Sequence, residues 1–174
     1  MSAADFVQRW HRKANESEDC FDRFFSAWIS LVIEARRHLN AQQLTEADTD
    51  RKTIVQYFEN RNAVIAAVLQ NLPEHTGWLA ARRGTGTMGQ ILDVNLVNTY
   101  TTELRRELDE LALFWAGGDK PRKPGWIATR TAEMLNHIRN NLFHGIKAPD
   151  DAADRALLEH VNPILLGILE ARNR

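Results

Sequence analysis

With 174 residues, 44% of them hydrophobic and 26% charged, the chain has globular composition and length enough for a buried core, which excludes a disordered or low-complexity protein and leaves little room for a second domain. Lys plus Arg total 22 against 23 Asp plus Glu, a formal net charge of -1, which argues against a protein that coats nucleic acid by bulk charge but leaves room for a local basic patch. The single cysteine, Cys20, excludes an intrachain disulfide or a cysteine-based zinc site, and with Asp5, Arg9, Arg12 and Lys13 where a secretory signal would be apolar and no membrane-length apolar run, the expectation is a soluble cytoplasmic protein.

In chain order, Phe6, Val7 and Trp10 suggest a short amphipathic helix capped by Ser2 or Asp5. From Asp19 to about Leu39, Phe21, Phe24, Phe25, Trp28, Ile29, Leu31, Val32 and Ala35 recur at three-and-four spacing and predict a long packed helix. Thr45 and Asp50 are candidate caps for a run through Ile54, Val55, Tyr57 and Phe58, and a second run through Val64, Ile65, Val68 and Leu69 follows Asn60-Arg61-Asn62. These read as two short helices, or one broken helix, ending before Pro73. Pro73, Gly77, Gly84, Gly86 and Gly89 then predict a loop over about 73–95. Leu96 to Trp115 reads as a helix stopped by Gly117-Gly118, a basic proline-bearing linker covers about 117–125, and two further helices are expected from about Trp126 to His144 and Asp150 to Arg172. Pro163 should kink the last of these or begin a new helix with Asn162 as its cap. If its broad apolar face, Leu157, Leu158, Val161, Leu165, Ile168 and Leu169, is not absorbed internally, that face is a candidate subunit contact. The expected fold is a single-domain all-α bundle of about six helices over residues 1–174.

Chemistry concentrates between Trp126 and Gly145. Ile127, Met134, Leu135, Ile138 and Leu142 share one side of a helical projection, and His137, Asn140, Asn141 and His144 share the other. A solvated face usually carries Lys and Glu, whereas imidazoles and amides suit hydrogen bonding to a ligand and proton movement near neutral pH. Gly145 ends the helix there and leaves His144 at its C-terminal end.

Arg139-Asn140-Asn141-Leu142-Phe143-His144, followed by Gly145, resembles the R-x4-6-H signature of the HEPN superfamily, and the Phe- and Trp-rich helix around Arg23 to Glu34 is similar to the early helix of Apea-like members. The resemblance implies a helical bundle that dimerises so that two signatures face one cleft, a metal-independent endoribonuclease site without cofactor. Arg139 and His144 would be catalytic and Asn140 the supporting polar residue. RNA carries its own nucleophile, the 2′-OH beside each phosphate, so cleavage to a 2′,3′-cyclic phosphate and a 5′-OH needs proton transfer, suited to His144, and a cation on the phosphate, suited to Arg139. Asn141, His137, Lys147 and Arg130 are the expected substrate contacts, with the Lys120-Arg122-Lys123 linker as a further source of cations. RNA, a second copy of the chain and an antitoxin or other protein are the expected partners, in a toxin or defence role. Tyrosine two residues after the histidine, the adenylylation target of some toxin members, is replaced by Ile146, so regulation by that route is not expected.

Arg139 and His144 lie well over 100° apart on an ideal helix, so a long arginine, a tightened last turn or a second subunit must bring both to one phosphate. The rival readings are a non-catalytic RNA-binding or protein-interaction module with the same signature, and an unrelated bundle in which Arg139 pairs with a carboxylate and His144 with backbone carbonyls. Gly84-Thr85-Gly86-Thr87-Met88-Gly89 fits the letters of a dinucleotide-binding loop without the strand that such a loop follows, and is read as a connection. His11, His38, His75 and His160 show no metal-ligand spacing, and Trp28 and Trp115 read as core.

Overall fold

Side-chain caps set most of the helix starts. The computed structural model describes residues 2–39, 49–81, 110–111, 113–115, 123–143 and 151–173, the side chains of Asn141 and Asn173 excepted. Helix α1 (Ala3–Glu16) opens on a capping box in which the Ser2 hydroxyl accepts from the Asp5 amide and the Asp5 carboxylate accepts from the Ser2 amide. Helix α2 (Cys20–His38) starts at Asp19, which accepts from the Phe21 and Asp22 amides. Thr49 caps α3 (Asp50–Asn60), so Asp50 is the first helical residue rather than the cap, and Thr45 lies outside the described residues. Arg61, with φ -118° and ψ 24°, separates α3 from α4 (Asn62–Gln70), which resolves the expected break into two helices.

Helix α5 (Pro73–Ala81) corrects the expected loop. Pro73 is its first residue, where the missing N–H would have no helical partner and the fixed φ already suits a helix, so the residue read as a breaker is a starter. Gly77 sits inside it, and Thr76, Leu79 and Ala80 are buried. The remainder of the expected loop, with Gly84 to Gly89, and the expected helix over 96–109 lie outside the described residues; residues 110–111 and 113–115 are helical.

Pro124 likewise opens α6 (Pro124–Phe143), so the linker ends earlier than expected, while Gly117-Gly118 and residues 119–122 lie outside the description. Asp151 caps α7 (Ala152–Glu170), and a short 3-10 turn, Ala171–Asn173, follows. Pro163 lies within α7 and starts no new helix. Asn162 is instead buried and donates its side-chain amide to the Cys20 carbonyl, 2.9 Å away. The hydrogen bond lost at proline is offset by packing, since Val161, Ile164 and Leu165 on either side are fully buried.

No strand occurs among the described residues, and among them no helix is long and apolar enough to cross a membrane. Helix α2 packs against α1, α3 and α7; α7 also meets α4 and α5, and α6 lies on α3 and α4. Phe24, Leu31, Ile54, Phe58, Leu135, Leu158 and Leu165 form the sealed centre, and Trp28 joins it while Trp115 packs half-buried at its margin. All six residues of the expected apolar face on α7 are absorbed by this core, so that face is no subunit contact. At Gly167 a Cβ would lie 3.1 Å from Val68 Cγ1 and 3.4 Å from Leu72 Cδ1, so α7 packs closely on the side chains of α4 and of the chain that follows it.

Residues 131–138 of α6 are buried without exception, more than two turns, so every side of that stretch is covered. Thr131, Glu133, Asn136 and His137 are among them. The Thr131 hydroxyl donates to the Ile127 carbonyl at 2.8 Å. Glu133 receives both arms of the Arg51 guanidinium from α3, at 2.6 and 2.9 Å. The carboxylate side chain is 7% exposed and the arginine 57%, so solvent screens only one end of the pair. Arg51→Ala should lower unfolding stability by about 1–2 kcal/mol in urea denaturation by stranding a buried carboxylate, and adding Glu133→Gln should restore part of it. Equal stability of the single and double variants would show that the carboxylate is not stranded.

Candidate functional site

The last turn of α6 emerges from this sheath carrying Arg139, Asn140, Leu142 and Phe143. Arg139 and Asn140 are half-buried, and Arg139 Nη1 donates to Asn140 Oδ1 at 3.0 Å. The guanidinium also lies over the Phe143 ring, with its central carbon 4.2 Å from the ring centre, a cation–π contact between residues one turn apart. Phe143 in turn stacks on Phe25 of α2, centroids 4.2 Å apart and planes at 18°. The two rings are 39% and 42% exposed, so they form a platform at the surface rather than part of the core.

The Arg139 guanidinium thus meets the ring of Phe143, one turn on and the residue before His144 in the chain, as side chains four apart on a helix do. His144, Gly145, Ile146 and Lys147 lie outside the described residues, and Asn141 is described only in its helical backbone.

Two expected contacts are not brought to this place. Arg130 is half-buried on α6, nine residues before Arg139, which places it about 13 Å back along the axis and half a turn round. His137 does not share an open face with Asn140: it is 2% exposed, because the covering helices close over both sides of α6 at its level. Burial lowers its pKa from 6.5 to about 4, with the Arg51 charge acting in the same direction and the Glu133 carboxylate opposing both. His137 is thus a neutral core imidazole at neutral pH, and the expectation that it contacts substrate from a polar face is corrected.

Phe143 and Phe25 were the residues that sequence patterns did not single out. Phe143 falls inside the signature, and Phe25 falls with Phe24 in one apolar stripe of the sequence. The available signal was angular: adjacent residues on a helix differ by about 100°, so Phe24 and Phe25 cannot both face the centre of the same stripe. Phe24 is fully buried and Phe25 is not.

Elsewhere, His75 of α5 and His160 of α7 meet with Nδ1 atoms 3.1 Å apart, and Trp78 stacks on His160 at 4.2 Å, a pairing that sequence spacing did not indicate. Among the described residues no three His, Cys, Asp or Glu side chains are grouped to hold a metal ion. A hollow of about 210 Å³ between α4, α5 and α6 is lined by Ala66, Leu69, Gln70, Thr76, Trp115 and Ile127 among others, and the Thr76 hydroxyl is engaged with the Leu72 carbonyl. Compared with family models, curated proteins and solved structures, the chain matches none.

The burial of His137 has a pH consequence. A base whose folded pKa is lowered takes up its proton preferentially in the unfolded chain, so the stability it contributes is complete above about pH 6.5 and is lost as pH falls toward about 4. The whole interval corresponds to roughly 3 kcal/mol. Denaturation of the parent should therefore become easier than that of His137→Gln as pH falls through this window, relative to their difference at pH 7. A difference between them independent of pH would show that His137 titrates alike in folded and unfolded chains.

Proposed function

We propose that this chain is a metal-independent endoribonuclease of the HEPN type, working as a homodimer whose composite cleft joins Arg139, Asn140 and His144 from both copies. The observation that carries the proposal is the Arg139 guanidinium held by Asn140 and by the face of Phe143 in the last turn of α6. A guanidinium restrained on two sides loses little further freedom when it forks onto a phosphate, which favours preorganised charge stabilisation. In the proposed reaction the 2′-OH of RNA attacks the adjacent phosphorus, His144 and its copy in the second subunit divide proton removal and leaving-group protonation between them, and Arg139 stabilises the crowded phosphate. The products are a 2′,3′-cyclic phosphate and a 5′-OH, and DNA, lacking the nucleophile, is inert. His137, neutral and enclosed, takes no part. A toxin or defence role, with a protein antagonist, is the biological setting that such an activity fits.

A second reading has one observation in its favour. Arg139 is already engaged with Asn140 and Phe143, an arrangement that also suits a non-catalytic RNA-binding or protein-interaction module in which the signature is architectural.

The test is incubation of the purified chain with mixed-sequence RNA and matching DNA in excess EDTA, beside His144→Ala and Arg139→Lys. RNA alone should be cut, leaving cyclic phosphate ends. His144→Ala should reduce the rate by at least about 100-fold, and Arg139→Lys, which keeps the charge but not the planar fork, by about 10- to 100-fold. Intact RNA with the parent protein favours the module, and equal cutting by parent and His144→Ala removes the case for an enzyme.

A further inference from the structure

Helix α1 is attached to the bundle by one side only. Val7 and Ala14 are buried there, the Ser30 hydroxyl of α2 donates to the Val7 carbonyl at 3.0 Å, and His11 reaches Arg172 at 3.2 Å. The residues turned outward are not the usual mixture of Lys and Glu. Phe6, Arg9, Trp10 and Lys13 recur at helical spacing and form one strip, with Arg12 beside it. Together with Glu16 they line a shallow groove of about 400 Å³. Three cations thus face one carboxylate in a chain whose formal net charge is -1. The Lys13 ammonium lies 5.0 Å from the centre of the Trp10 ring, and Phe6 is 43% exposed.

We propose that this outward face of α1 is a binding track for single-stranded RNA, in which Arg9, Arg12 and Lys13 meet phosphates while Phe6 and Trp10 stack bases. Single strands are held by a combination of positive groove and aromatic faces, because every nucleotide offers a charge and a π surface whatever its sequence. Phe6 and Trp10 stand four residues apart, about 6 Å along the helix, with cations between and beyond them. The same residue types do not suit a lipid surface. A helix that lies in a bilayer turns a broad apolar face to the acyl chains, and the apolar side of α1 is already spent on the bundle, with the remaining rings interleaved among charges. The inference rests on the reading that RNA is the ligand of this chain, but it requires no cleavage.

The test uses the whole chain carrying His144→Ala, so that cleavage cannot consume the probe, and a fluorescent single-stranded RNA of about 20 mixed-sequence nucleotides, read by anisotropy between about 50 and 200 mM salt. Arg12→Ala with Lys13→Ala should weaken binding at least about tenfold and make the slope of log K against log salt shallower by about 1.4, since each phosphate contact on a single strand contributes about 0.7. Phe6→Ala should weaken binding by about fivefold or more with the slope unchanged, because stacking releases no counterions. Melting curves identify any variant that fails to fold, and the exposed Phe6 provides a second arm if the double variant does. Unchanged affinity and slope in both variants overturn the track, as do RNA binding by no form of the protein and loss of binding to phosphatidylserine vesicles with RNA binding retained. Binding that depends on α1 beside a parent protein that cuts nothing in EDTA keeps the track and removes the nuclease; cutting with α1-independent binding does the reverse.

Discussion

The middle of α6 is enclosed on every side, and the rest of the site depends on that enclosure. A helix in this position has no solvated face on which to place a polar group, so each such group must be neutral, internally bonded or paired. Thr131 bonds back to its own helix, Glu133 is met by Arg51 from α3, and His137 is held uncharged. The pair also ties α6 to α3. A rigid stem is what allows the final turn, from Arg139 to Phe143, to be offered at the rim with a defined direction.

At that rim the order of the residues matters more than their number. Asn140 and Phe143 hold the guanidinium from two sides, one through an oxygen and one through a ring face, and Phe25 of α2 supports the ring from beneath. The contact ties the last turn of α6 to α2, the helix that also packs on α1, α3 and α7. A guanidinium without a firm mount rearranges when an anion approaches; a mounted one has its direction set beforehand.

Much of the architecture was legible from periodicity. The long second helix, the pair around Arg61 and the last helix appear where apolar spacing put them, because each buries a stripe at period 3.6 and, α4 excepted, starts at a residue whose side chain accepts backbone N–H bonds. Proline was the systematic source of error. Pro73, which punctuates an expected loop, and Pro124, inside the expected linker, both stand at first helical positions, while Pro163 lies inside the last helix and starts no new one. At the site, Arg139 and Asn140 were legible as a pair, whereas the depth of His137 was not. A helical projection divides residues into two sides and carries no information on whether neighbours cover both. Only the elements packed from elsewhere in the chain, α3 and α4, decide that.

The close approach at Gly167 has a mechanical corollary. Only the side chains of Val68 and Leu72 fill the gap at that point, so a methyl group added at residue 167 would have to move the Val68 side chain by a few tenths of an ångström. Val68 stands on the same helix as Ala66 and Leu69, which line the hollow. Bulk added to α7 there would therefore press on the helix that forms one wall of the hollow, from outside the hollow itself.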